Sequence, residues 1–328
     1  MFASLLNKGF RGSLVLLIVL LLTAALCSLL SVKSLENGTY PDLFYNYFKD
    51  KIHAPALVTL LNYSLIGLGM FLVSMVSVNQ EISDKQNYFP VFIYFFISST
   101  CVNPLELTPQ LFTNLLLLYA FYKLLDTYRQ EYVLKQIFDA GIWISFTLYF
   151  TISSVLFIPV FFIALSILRS FHWREWAMAI LGVMVPVFFY ECMAYLSNFN
   201  RWYVFGAAAD YFRSFKVPVF SEYYLAFSTL LILLLLLSIL QPLLRGFGNT
   251  VKKQRSKWIL LWLLFFLIPA FFAGGHTNAG IILTYALPLS FLIGDFLFQI
   301  KQIKITNTLL SILMLSAVIV FLGKLGFI

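Results

Sequence analysis

DAGIWISFTLYFTISSVLFIPVFFIALSILR, residues 139–169, decides how this chain folds, because twenty-nine residues without a charge lie between Asp139 and Arg169. About 20 apolar residues cross a hydrocarbon core of roughly 30 Å. The run is therefore long for one crossing and short for two. The same alternation of uncharged runs and short charged gaps extends in both directions. Uncharged stretches recur at 12–32, 52–80, 86–105, 107–122, 176–190, 223–244, 258–294 and 305–323. Hydrophobic residues make up 61% of the chain and charged residues 11%, against roughly a quarter charged in a soluble globular domain. The sequence is that of an all-α, polytopic transmembrane helix bundle.

Lys and Arg collect in cytoplasmic loops because translocating them is unfavourable, so they report orientation. Arg245, Lys252, Lys253, Arg255 and Lys257 stand without an acidic residue among them, which assigns this stretch to the cytoplasm as an inner loop. Lys8 and Arg11 place the N-terminus inside as well, and Lys301 with Lys304 mark a further inner loop. Walking from the N-terminus, four helices bring Lys123–Asp139 to the inner side, where its mixed charges suggest an amphipathic surface helix. A single crossing over Ala140–Leu168 would then put the five-cation stretch outside. The run must instead make no net crossing, as two short helices meeting near Thr151-Ile152-Ser153-Ser154, with Pro159 loosening the second. Each arm of about fourteen residues spans roughly 21 Å at 1.5 Å per residue. Its tip ends within the membrane, where irregular backbone is tolerated if buried in protein or facing a watery cavity.

The expected architecture is a single integral membrane domain over 1–328 with about eleven membrane segments, including the short helix pair at 140–168. Gly274-Gly275-His276-Thr277-Asn278 supplies a turn within the run 258–294. A loop of about twenty-five residues, Leu196–Ser221, and the C-terminus fall outside. No charged segment is long enough for a soluble catalytic or nucleotide-binding domain. The net charge of +8 is explained by membrane orientation and not by nucleic acid. Cys27, Cys101 and Cys192, with His53, His172 and His276, are too scattered to spell a disulfide framework or a metal-ligand pattern. No cofactor is evident, and the sequence leaves a divalent metal open.

Ionisable groups at membrane depth are costly and so mark candidate sites. Glu191 is the foremost, at the outer end of its helix after Pro186-Val187-Phe188-Phe189-Tyr190. Asp295, near an inner helix end, is expected to pair with Lys301 or interfacial water. The outer loops hold Asp42 among aromatic residues, then Arg201 and Arg213, then His276. Acidic, basic and aromatic groups on one face suit an anionic lipid-linked sugar such as a polyprenyl-phosphate glycan. In that reading Asp42 is the catalytic base, Arg201 or Arg213 holds the phosphate, and Glu191 or His276 lines the pocket. The alternative is a lipid transporter, or a non-enzymatic membrane subunit with protein partners.

At Arg174-Glu175-Trp176, followed by Gly182, Pro186 and Tyr190, and at Phe138-Asp139-Ala140-Gly141, the chain resembles an uncharacterised multi-pass inner-membrane family of Bacteroidota. That resemblance covers nearly the whole chain and implies a bacterial inner-membrane location without an assigned activity. In architecture it is also similar to GT-C membrane glycosyltransferases, with Asp42 in Pro41-Asp42-Leu43-Phe44-Tyr45 at the place of their acidic base. Their usual paired-carboxylate cluster is missing here.

The no-net-crossing reading fixes an accessibility pattern. In a background lacking the three native cysteines, a cysteine at Ser153 is expected to react poorly with bulky thiol reagents. One at Ser170 is expected to react only from the cytoplasm, and labelling of Ser170 from outside would overturn the topology.

Overall fold

The computed structural model describes residues 55–80, 87–102, 107–196, 203–213, 222–245, 250–272, 278–300 and 302–324. These form α1 (Pro55–Asn79), α2 (Phe89–Cys101), α3 (Pro109–Asp126), α4 (Leu134–Phe146), α5 (Phe157–Leu168), α6 (Trp173–Leu196), α7 (Tyr203–Arg213), α8 (Glu222–Arg245), α9 (Val251–Phe272), α10 (Asn278–Thr284), α11 (Ala286–Gln299) and α12 (Ile303–Lys324). Among the described residues there is no strand. Among the described residues, four stretches are long and apolar enough to cross a membrane, namely Ala56–Asn79, Trp173–Met193, Val251–Phe272 and Ile303–Phe321. Shorter apolar helices occupy Phe89–Cys101, Ile152–Leu168, Tyr224–Leu240 and Ala286–Gln299. Length and composition thus support an integral membrane bundle, with four clear spans among the described residues and not clearly eleven.

The centre of the bundle is α2 against α11. A helix that is apolar all round belongs in the interior, and nearly every residue of both helices is buried. Their backbones approach closely at Gly294, where a Cβ would lie 2.5 Å from the Pro90 nitrogen. Phe89 and Phe298 meet edge to face beside this contact. Around this pair stand α1 and α10 against α2, α8 against α11 and α12, and α9 against α5.

The decisive run folds as two short helices. α4 passes into a 3-10 turn at Thr147–Tyr149, a second 3-10 segment covers Ile152–Leu156, and α5 returns from Phe157 to Leu168. Arg169, just beyond α5, donates from Nη1 to the Thr127 and Gln130 carbonyls at 2.9 and 2.8 Å. The run therefore starts and finishes at one end of the bundle, which we call the basic end. At the far end Thr151 Oγ1 meets Thr113 Oγ1 at 2.9 Å, in the second turn of α3. The thirteen residues from Thr113 to Asp126 put that tip about 20 Å away at 1.5 Å per residue.

Several local expectations change. Lys123–Asp139 is not one surface helix, because α3 ends at Asp126 and α4 begins at Leu134. The turn between them holds Arg129 at φ 61°, a left-handed conformation that is costly for a residue with a Cβ. Arg169 bonds carbonyls on both sides of it, which holds the turn. Pro159 lies in the first turn of α5, where its missing N–H leaves no helical bond unmade, so it starts the helix instead of loosening it. The inner loop is shorter than expected, with Lys252, Lys253, Arg255 and Lys257 in the first two turns of α9. The long loop after Leu196 contains α7, whose Tyr211 is buried against Ile152 at the hairpin tip.

The seam between α4 and α6 explains the residues that stood out in sequence. Gly141 and Gly182 let the two backbones touch, as small residues do between membrane helices. A Cβ on Gly182 would lie 2.6 Å from the Phe138 carbonyl oxygen. One turn on, Ser145 Oγ donates to the Val183 carbonyl at 2.8 Å and the Tyr149 hydroxyl to the Pro186 carbonyl at 2.6 Å. The Tyr149 and Tyr190 rings then meet edge to face, 4.6 Å apart.

Because the obstacle at Gly182 is backbone, Gly182→Ala is expected to cost about 1–3 kcal/mol by overpacking, read as a lower melting temperature in detergent. Gly206→Ala on α7, which meets nothing within 4 Å, is the control and should not lower it.

Candidate functional site

Charged groups converge at the basic end. Lys253 and Lys257, four residues apart on α9, both reach the Asp295 carboxylate on α11. The Lys253 Nζ lies 3.2 Å from Oδ1, Lys257 pairs more closely with Oδ2, and Gln299 Nε2 donates to Oδ2 at 2.8 Å. All three charged side chains are buried. Asp295 thus joins α11 to α9, and its partners here are lysines about forty positions earlier in sequence. The expected partner Lys301 lies outside the described residues. Beside this cluster Arg169 Nε bonds Glu175 at 2.9 Å. Arg255 Nη1 donates to the Leu168 carbonyl at 2.9 Å and its guanidinium covers the Tyr128 ring. These contacts lock five segments together, α5, α6, α9, α11 and the turn at Tyr128, and the arrangement reads as a structural clamp.

At the opposite end the buried polar side chains among the described residues are uncharged. Val58 of α1 packs on Leu107 just before α3, so the first turns of these helices lie side by side. Their Thr59, Asn62, Gln110, Thr113 and Asn114 are all buried. From the hairpin come Thr151, Ser153 and Ser154, also buried. Asn114 Nδ2 donates to the Leu283 carbonyl of α10 at 2.9 Å. Tyr211 reaches the Ala270 carbonyl at 3.5 Å. Burial lifts its phenol above the ordinary range, with the Ser153 hydroxyl pulling the other way. Tyr211 is accordingly an O–H donor at neutral pH. The Tyr285 hydroxyl donates to the Leu267 carbonyl, so two tyrosines bond α9 carbonyls on either side of Pro269.

Tyr285 also faces a cleft of about 540 Å³ between α8 and α9. That volume is in the range of small-molecule sites, roughly 300–1,000 Å³. Its walls are apolar apart from Ser228, with Leu231, Leu235, Leu261, Leu264 and Phe272 among them and Ile282, Tyr285 and Leu289 at the back. Ile232, Phe265 and Ile268 line it while remaining half exposed, so the cleft opens sideways through the flank of the bundle. An apolar slot thus backs onto a buried polar layer through the segment Ile282–Tyr285.

Residues 43–327 match a family of unknown function, DUF6427. The chain belongs to that family. No curated protein and no solved structure matches it.

Of the five residues singled out in sequence, Asp42, Arg201 and His276 lie outside the described residues. Asp42 also stands one position before the family match. Glu191 is partly buried near the end of α6. Arg213 is exposed on α7, 3.9 Å from an equally exposed Asp210, a pairing of little energetic weight. Neither lines the cleft. Among the described residues no three His, Cys, Asp or Glu side chains come together as a metal-ligand group. Sequence reasoning passed over Gln110, Asn114, Tyr211 and Tyr285. The available signal for the first two was a pair of amides four residues apart at the start of the uncharged stretch that precedes Lys123.

Removing one partner of a buried ion pair leaves a charge without compensation, at about 3–5 kcal/mol. Asp295→Asn is therefore expected to lower the melting temperature sharply, and adding Lys257→Met should recover part of the loss. A double variant no better than Asp295→Asn would show that charge balance is not what the clamp supplies.

Proposed function

We propose that this chain is a multi-pass protein of the bacterial inner membrane, with about eleven membrane segments, that handles a lipid-linked cell-envelope precursor at the outer face. The cationic stretches put the basic end in the cytoplasm, and the hairpin tip and polar layer then face outward. The observation that carries the reading is the laterally open apolar cleft ending at Tyr285, beside the buried polar layer. A lipid needs such a pair of surfaces, an apolar slot for a tail entering from the bilayer and polar groups for its head.

Two forms of this reading differ in chemistry. As a GT-C-like glycosyltransferase, the protein would use Asp42 as base, Arg201 or Arg213 at the phosphate and Glu191 or His276 in the pocket. As a lipid transporter or a membrane subunit, it would use the cleft alone. The sideways opening, and a lining that includes neither Glu191 nor Arg213, favours the second form.

Native mass spectrometry of the purified chain is expected to reveal a co-purified lipid, and Leu235→Trp, which fills the cleft, should deplete it without lowering the melting temperature. Unchanged lipid in Leu235→Trp would remove the cleft from the proposal. Asp42→Asn separates the two forms, because glycan transfer is lost with protein level unchanged only if the chain is the transferase.

A further inference from the structure

We propose that Gln110 and Asn114 form a subsite for the hydroxyl groups of an uncharged, sugar-like lipid headgroup, an inference that rests on the lipid-handling reading above. Gln110 is 1% exposed, yet neither its Nε2 nor its Oε1 has a hydrogen-bond partner in the protein. Asn114 is equally buried, and although its Nδ2 is bonded to Leu283, its Oδ1 has no partner. Residues four apart on a helix share a face, so three unmade bonds cluster on one side of α3. A buried amide that gives up water and gains nothing in return is destabilising. Such a group in a native protein calls for an explanation, and a bound ligand is one.

The chemistry of the three atoms selects the ligand. Gln110 Nε2 is a donor, while Gln110 Oε1 and Asn114 Oδ1 are acceptors, so an occupant must donate twice and accept once. An ionised phosphodiester has only acceptors. Adjacent sugar hydroxyls both donate and accept, and they meet all three demands. Position agrees with this choice. Thr113 is bonded to Thr151 of the hairpin tip, which fixes this stretch of α3 against the polar layer. Asn114 is bonded to the backbone of Leu283, between Ile282 and Tyr285 at the back of the cleft. A headgroup on the two amides would thus lie across the α10 segment from the slot that takes its tail.

The test is native mass spectrometry of the full chain in detergent, titrated with three lipids of identical acyl chains: diacylglycerol, monoglucosyl diacylglycerol and phosphatidylmethanol, whose phosphodiester headgroup carries no hydroxyl. The wild type is expected to bind the glucosyl lipid about tenfold more tightly than diacylglycerol, one hydrogen-bond pair's worth of discrimination. Gln110→Met keeps the length of the side chain but removes both polar atoms, and should reduce that preference to within about twofold. Gln110→Leu takes its place if that variant does not fold. The proposal is overturned if the preference survives in the variant, as it would with water alone at the amides, or if the wild type prefers phosphatidylmethanol or does not discriminate. Diacylglycerol binding reports on the cleft separately. If Leu235→Trp leaves it unchanged while Gln110→Met removes the glucosyl preference, the cleft reading fails and the subsite stands; the opposite pair of results keeps the cleft and removes the subsite.

Discussion

One guanidinium closes the loop on which this architecture depends. Arg169 follows twelve residues of apolar helix and cannot remain there without partners. It finds Glu175 on one side and the Thr127 and Gln130 carbonyls on the other. That choice brings the end of α5 back to the end of α3, so the chain between them leaves the basic end and returns to it. Everything after residue 169 inherits the parity. The tip meets α3 at Thr113, in its second turn, and the backbone takes 3-10 geometry where the two arms join.

The two ends of the bundle then solve different problems. At the basic end, charged side chains tie elements together: α9 to α11 through Asp295 and its two lysines, α9 to α5 through Arg255 on the Leu168 carbonyl, α5 to α6 through Arg169 and Glu175. Such contacts specify a single arrangement because any other leaves an ion unpaired. At the tip end the buried groups are hydroxyls, amides and phenols, whose misplacement costs less. A bundle stiff at one end and softly polar at the other can admit a ligand without losing its register. The sideways cleft between α8 and α9 lies on the α9 side away from the glycine seam of α4 and α6, which is packed backbone to backbone.

Much of this was legible in the sequence because it followed from charge. The twenty-nine-residue run, its break near Thr151–Ser154 and its return to the starting side all follow from counting cations in short gaps. The lengths of the short helices did not, since α3 and α9 carry charged residues on helical turns that hydropathy reads as loop. The turn at Arg129 was hidden for a different reason. Nothing local demands a left-handed residue there, and its stabilising partner is forty positions away. The polar layer was the hardest to see, because it gathers Thr, Ser, Asn and Gln residues from α1, α3 and the hairpin with Tyr211 of α7 and Thr284 of α10. Each is unremarked in its own segment, and only packing makes them one surface. Glu191 drew notice as an intramembrane carboxylate, yet it stands away from both the clamp and the cleft.

The bond from Arg255 to the Leu168 carbonyl joins residues 87 positions apart, and it orders events during synthesis. A helix end needs partners for its last carbonyls, and α5 reaches the membrane long before Arg255 has left the ribosome. Until then the hairpin has Arg169 on Glu175, Thr127 and Gln130, the Thr151–Thr113 contact at its tip and the seam to α6. Only when α9 is inserted, bringing Arg255 to Leu168 and Lys253 and Lys257 within reach of the coming Asp295, is the basic end completed.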